Sequence, residues 1–181
     1  RYWRDWSSDV CSSDLATTKF KGTDVELIGT EVNVGDKAPS VTVVNSDGLG
    51  DVVVGGATGK KQLIIVVPSL DTGVCATETR NFNAKAADLN DVTTTIVSLD
   101  LPFAAGRFCS AEGITNLTVT SDFRNKDFAN AYGVLLGGSV LAGVTCRAIF
   151  AVNEEGTVTY KEIVPEITEE PNYDAAIAAV S

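Results

Sequence analysis

The stretch PSLDTGVCATETR, Pro68–Arg80, decides how the chain is read, because a proline there ends an apolar run and a cysteine opens a helix. Before it, QLIIVV (Gln62–Val67) is the continuous, largely β-branched run expected of a central strand buried on both faces. After Gly73, the residues Cys75, Thr79, Phe82, Ala86 and Leu89 recur at intervals of four, three, four and three, which predicts one buried helical stripe. Cys75 then falls in the first turn, where unpaired backbone N–H groups and the helix dipole favour a negative charge. A thiolate is such a charge, and with a cation nearby a thiol in this position can ionise well below its usual pKa of about 8.5. A drop of about two units corresponds to roughly 2.7 kcal/mol and turns a few per cent of thiolate at neutral pH into a majority. Free cysteine is also a common small buried hydrophobe, so helix-start geometry alone leaves both readings open.

Working outward towards the N-terminus, TTKFK and VELIG around Gly22–Asp24 read as a hairpin. VTVVN, the turn SDGLG and DVVV read as two further strands. GGATGKK brings Gly59 and Lys60 together, but Val54 stands where a phosphate loop needs its first glycine and Lys61 where it needs Ser or Thr. It also precedes a strand, and reads as a surface turn. Towards the C-terminus, DVTTTIVSL is a strand, and LPFAAGRFCSAEG is a helix opened by Pro102 and closed by Gly113, with Cys109 late in it. NLTVT is a short strand, and FRNKDFANAYG a helix capped by Gly133 that buries Phe128, Ala131 and Tyr132. The apolar VLLGGSVLAGV reads first as core filler, with cover for a substrate mouth or a subunit contact as the alternatives, RAIFAVN and TVTYKEI read as a hairpin, and YDAAIAAV as a closing helix. Glu154, Glu155, Glu169 and Glu170 read as solvated turn charges. This order predicts an α/β thioredoxin-like fold, a central mixed β-sheet flanked by helices, with an N-terminal β-hairpin.

The first fifteen residues, RYWRDWSSDVCSSDL, hold both tryptophans and one of the four cysteines and show no apolar periodicity. The run resembles the translation of a sequencing-library adapter, so residues 1–15 are expected to be a non-native segment and residues 16–181 a single domain. Setting aside Arg1, Arg4, Asp5, Asp9 and Asp14 changes the net charge only from −10 to −9. So acidic a surface repels phosphate backbones and anionic lipid, which argues against nucleic-acid or membrane-surface binding. No run is long enough to span a bilayer; the nearest, Tyr132–Cys146, is glycine-rich. Few cysteines and no secretory signal point to a reducing, cytoplasmic setting. Histidine is absent, which removes Ser-His-Asp and Cys-His catalysis and imidazole metal sites, and no metal or cofactor is expected.

Cys75 and Cys109 stand 34 residues apart, which is not a Cys-x-x-Cys redox site, so any pairing must come through the fold. Cys146, within a strand and one place before Arg147, should face the opposite side from it and reads as a buried inert thiol. Several motifs go further. PSLDTGVC has the pattern Pro-x-x-x-Thr-x-x-Cys at Pro68, Thr72 and Cys75. With LPFAAGRFCSAEG, FRN…AYGV, CRAIFAVNEEG and EIT-x-EP-x-Y-x-AA in order, the chain from about Thr17 onward resembles the bacterial thiol peroxidases, atypical two-cysteine peroxiredoxins.

The resemblance implies that Cys75 is the peroxidatic cysteine and Cys109 the resolving one in the same chain. Thr72 would hydrogen-bond the peroxide, Arg147 would hold thiolate and peroxide, and Pro68 would shield the site. It also implies hydrogen peroxide and organic hydroperoxides as substrates, thioredoxin as reductant, and a homodimer. The alternative is a redox sensor or thioredoxin-like binding protein whose cysteines oxidise without turnover.

Overall fold

The computed structural model describes residues 16–181, so the expected foreign segment at residues 1–15 lies outside the described residues. Strands β1 (Thr17–Phe20) and β2 (Thr23–Ile28) pair antiparallel with Phe20 opposite Thr23. The turn is therefore Lys21–Gly22, one residue earlier than the sequence suggested. With φ of 51° and 79°, both residues adopt the left-handed conformation of a two-residue hairpin turn, whose twist matches the strands, and Thr23 and Asp24 join β2.

Next come β3 (Val41–Asn45), β4 (Asp51–Val54), β5 (Lys61–Val66), α1 (Gly73–Ala86), β6 (Val92–Ser98), α2 (Pro102–Glu112) and β7 (Thr118–Ser121). The chain closes with α3 (Asp127–Ala131), β8 (Leu135–Leu136), β9 (Ala148–Val152), β10 (Val158–Ile163) and α4 (Tyr173–Ala178). Seven strands form one mixed sheet in the order β10-β9-β5-β6-β7-β3-β4, in which β5, β6 and β7 run parallel and the others join antiparallel. β8 pairs with β2 and extends the hairpin into a second, three-stranded sheet. This is the expected α/β architecture.

The central strand has two dry faces. Leu63, Ile65 and Val67 pack with Cys75, Phe82, Ala105 and Ala176, placing α1, α2 and α4 on one side of the sheet. Ile64 and Val66 pack with Phe128, Tyr132, Phe150, Val25 and Leu27, placing α3 and the small sheet on the other. The period of two along β5 thus separates the two cores. Both cysteine-bearing helices lie against the first.

Two details differ from expectation. α1 ends at Ala86, so Leu89, the last residue of the predicted stripe, packs from the following turn. α3 is only five residues long, because the Asp122 carboxylate accepts the N–H groups of Phe128 and Ala129 at 3.1 and 2.9 Å and fixes its start late. Ala129 is consequently buried and Ala131 only half-buried. The apolar loop divides: Val134 and Leu136 are core, whereas Val140 at its tip is 88% exposed. Gly133 does close the α3 segment, at φ 63°, and a Cβ there would stand 2.7 Å from the Thr30 carbonyl oxygen. Gly133→Ala is expected to lower the unfolding free energy by about 1–3 kcal/mol, read as an earlier denaturant midpoint at unchanged m.

Candidate active site

Cys75 is the third residue of α1 and is sealed from solvent. Its helix begins from Thr72 in extended conformation, with no side chain capping the first turn and no acidic residue in it. The first turn therefore brings its unpaired N–H groups and the positive end of the helix dipole close to the sulfur, with no acidic side chain in that turn to offset them. Arg147 approaches from the segment just before β9 and donates from Nη2 to Cys75 Sγ at 3.4 Å.

Arg147 is 1% exposed and held on several sides. Nε and Nη2 donate to the Ile167 carbonyl at 3.1 and 2.9 Å, and Nη1 donates to the Glu78 carboxylate. Burial opposes its charge, but Glu78 and Cys75 outweigh that, and its pKa lies above the ordinary arginine value. Cys146 turns the other way, into the core with Phe128 and Phe150, as alternation requires. Burial pushes its thiol up to about 12, which disfavours the reactive thiolate. It precedes β9 in an extended segment and is not within a strand, a small correction to its expected place.

Pro68 is buried just past β5, and the Val67 carbonyl before it accepts the Thr145 hydroxyl at 2.8 Å. Thr72 is exposed at the helix start and donates its hydroxyl to the Ser69 carbonyl at 3.0 Å, not to Cys75. Cys109 is half-buried on α2, and it and Cys75 are both free thiols. Burial raises its pKa; the Ser46 hydroxyl works against that and the Asp47 charge with it. A cleft of about 540 Å³ opens beside it, lined by Ser46, Asp47, Gly106, Ile114 and Thr115. The fold thus joins Cys75 directly to Arg147, while Cys109 stands on the neighbouring helix over the same core.

Sequence reasoning missed Glu78. It is wholly buried on α1, one turn after Cys75, and burial raises its carboxyl to about 7 against the opposing pull of Arg147. Its Oε1 has no hydrogen-bond partner among the described residues, nor does the buried hydroxyl of Tyr173. The available signal was its place at i+3 from Cys75, beside Thr79 on the inward face. Among the described residues no cluster of three or more His, Cys, Asp or Glu is placed to hold a metal ion.

The Redoxin family model matches residues 33–177, most of the chain. The thiol peroxidase of Aquifex aeolicus is 51% identical over 164 residues, covering 91% of this chain and 96% of that protein. The chain belongs to the thiol peroxidase family. The thiol peroxidase of Campylobacter jejuni is likewise 51% identical, over 87% of this chain and 89% of its own. Among solved structures, a peroxiredoxin-like protein from Aquifex aeolicus superposes with a TM-score of 0.88 at 51% identity, covering 92% of this chain and 96% of that one. Thiol peroxidase from Chromobacterium violaceum, at 22% identity and a TM-score of 0.79, shares the fold over 88% of this chain and 91% of that one. Thiol peroxidases are oxidoreductases that reduce hydroperoxides with electrons from a thiol, and this chain is such an enzyme. Among the described residues no helix is long and apolar enough to cross a membrane.

Proposed function

We propose that Cys75 is the peroxidatic cysteine and Cys109 the resolving one, in a cycle that reduces hydrogen peroxide and organic hydroperoxides. The observation that carries this reading is the Arg147 guanidinium at 3.4 Å from a cysteine sulfur at an uncapped helix start. The Cys75 thiolate attacks the terminal peroxide oxygen; the O–O bond breaks, sulfenic acid forms, and the departing alkoxide or hydroxide takes a proton from solvent. Arg147 and the N–H groups of Val74 and Cys75 face the charge moving along the O–O bond. The Thr72 proton is committed to Ser69, so its oxygen is free to accept the peroxide O–H. Pro68 keeps water from the sulfur.

Cys109 then displaces water from the sulfenic acid to give the Cys75–Cys109 disulfide, which a dithiol returns to two thiols. Thioredoxin is the reductant in this reading, the compartment is the cytoplasm and the protein acts as a homodimer. The exposed Leu101 and Phe103 support a subunit contact. Cys75 is wholly buried within one helix and Cys109 lies on another, so disulfide formation requires local unwinding at one or both.

The test is a coupled assay with thioredoxin, its reductase and an organic hydroperoxide, in which catalytic NADPH loss is expected. Stoichiometric oxidation without turnover would favour the sensor instead. Cys109→Ser should complete one oxidation and stall at sulfenic acid, trapped by dimedone; a disulfide persisting in that variant would reject the assignment. Because the Cys109 pKa is raised, the resolution step should continue to accelerate with pH above 8, measured by stopped flow, and a plateau near neutrality would contradict it.

A further inference from the structure

We infer that Asp100 is a positioning residue for the peroxide step, its carboxylate holding the Ser69–Thr72 turn in register with Cys75; this rests on the roles proposed above for Cys75 and Thr72. Asp100 lies between the end of β6 and the start of α2 and is half-buried. Its Oδ1 accepts the Ser69 hydroxyl at 2.7 Å, and its Oδ2 accepts the Leu70 N–H at 2.8 Å and the Ser98 hydroxyl at 2.9 Å. Its own carbonyl accepts the hydroxyl of Ser121 at the end of β7. Asp100 is thus tied to the ends of two strands, to β6 through its carboxylate and to β7 through its backbone carbonyl, and its carboxylate reaches out to an irregular turn.

That turn carries the chemistry. The Ser69 carbonyl accepts both the N–H of Thr72, at 3.2 Å, and its hydroxyl, at 3.0 Å, and the Thr72 carbonyl accepts the N–H of Ala76 at 2.9 Å. A continuous hydrogen-bonded path therefore runs from Asp100 through Ser69 to Thr72 and the first turn of α1. Bonds to an ionised carboxylate are roughly twice as strong as neutral ones, and a carboxylate is an acceptor only, so it suits three converging donors. Arg147 stands on the segment before β9 and is held by the Ile167 carbonyl and by Glu78 in the second turn of α1, and neither of these hydrogen-bonds Asp100. Asp100 consequently governs where Thr72 meets the peroxide, and leaves the cation beside the sulfur in place.

This separation gives the experiment. On a Cys109→Ser background, the rate constant for Cys75 oxidation by hydrogen peroxide and by cumene hydroperoxide is measured by quenched flow. Alkylation of Cys75 by iodoacetamide, which needs no Thr72, is measured beside it. Asp100→Ala should slow the peroxide reactions by about tenfold or more, the scale of a sub-ångström misplacement of a reacting group, with alkylation within about twofold of the parent. Asp100→Asn, whose single oxygen can still serve Leu70 while Ser69 reverses its hydroxyl, should recover most of the peroxide rate. Ser69→Ala should show the same split to a smaller degree, and it decides the matter if Asp100→Ala does not fold. Unchanged peroxide rates, or equal losses in both reactions, would overturn the inference. Cys75→Ser run in parallel isolates the underlying reading: peroxide consumption persisting there would reject the role of Cys75, whatever the Asp100 variants do.

Discussion

Replacing Cys75 by serine is expected to abolish peroxide turnover, with a loss of at least about 10³-fold in the coupled assay. The substitution removes a single polarisable atom and otherwise suits the site. Cys75 is fully buried on the inward face of α1, and a serine hydroxyl there keeps Arg147 as a hydrogen-bond partner, so the fold should survive. What disappears is the nucleophile. A serine hydroxyl remains protonated at neutral pH, and the chain has no histidine to serve as its base. Nor can the other thiols among the described residues stand in. Burial raises the pKa of Cys109, and holds that of Cys146 at about 12 without access to solvent. Circular dichroism matching the parent, with activity lost, is the expected pair of results; full activity in Cys75→Ser would remove the basis of the mechanism.

The parts of this arrangement legible from sequence are those written in local periodicity. QLIIVV announced a strand buried on both faces because alternate residues serve two cores, and Leu63 and Ile64 do so. The spacing after Gly73 placed Cys75 on the inward face of a helix for the same reason. Alternation also put Cys146 and Arg147 on opposite sides. Boundaries decided by side-chain capping were harder: α3 starts where Asp122 collects two N–H groups, a choice made by a residue outside the helix. The site's polar supports were harder still. Glu78 belongs to a run, ATETR, that reads as an ordinary polar helix face, and only its distant partner Arg147 explains why it is inside. Asp100 follows a strand as a routine turn acid would, and its value lies in the three donors that converge on it, from Ser69, Leu70 and Ser98.

Glu78 carries the second large effect, on stability. Glu78→Ala should cost about 3 kcal/mol or more, because it leaves the Arg147 guanidinium buried without its carboxylate partner and opens a void beside it. Glu78→Gln separates charge from shape. The amide oxygen can still accept from Arg147 Nη1, so the guanidinium keeps its place beside Cys75. The pH dependence has a definite sign. Burial raises the Glu78 carboxyl from 4.5 to about 7 in the fold, Arg147 opposes that rise, and Glu162 on β10 and Glu170 before α4 reinforce it; the Tyr173 hydroxyl lies on the same side. Between these values the folded protein binds more protons than the unfolded chain, so this group's contribution is complete below about 4.5 and declines as pH rises through about 7. Glu78→Gln lacks that titration. Its stability relative to the parent should therefore rise across this interval and level off above it, measured as denaturant midpoints at a series of pH values. The same ionisation places a negative charge against Arg147 and offsets its field at the sulfur, so above pH 7 alkylation of Cys75 should be faster in Glu78→Gln than in the parent. A stability difference independent of pH, together with identical alkylation rates, would show that Glu78 fills space beside Arg147 and does not tune it.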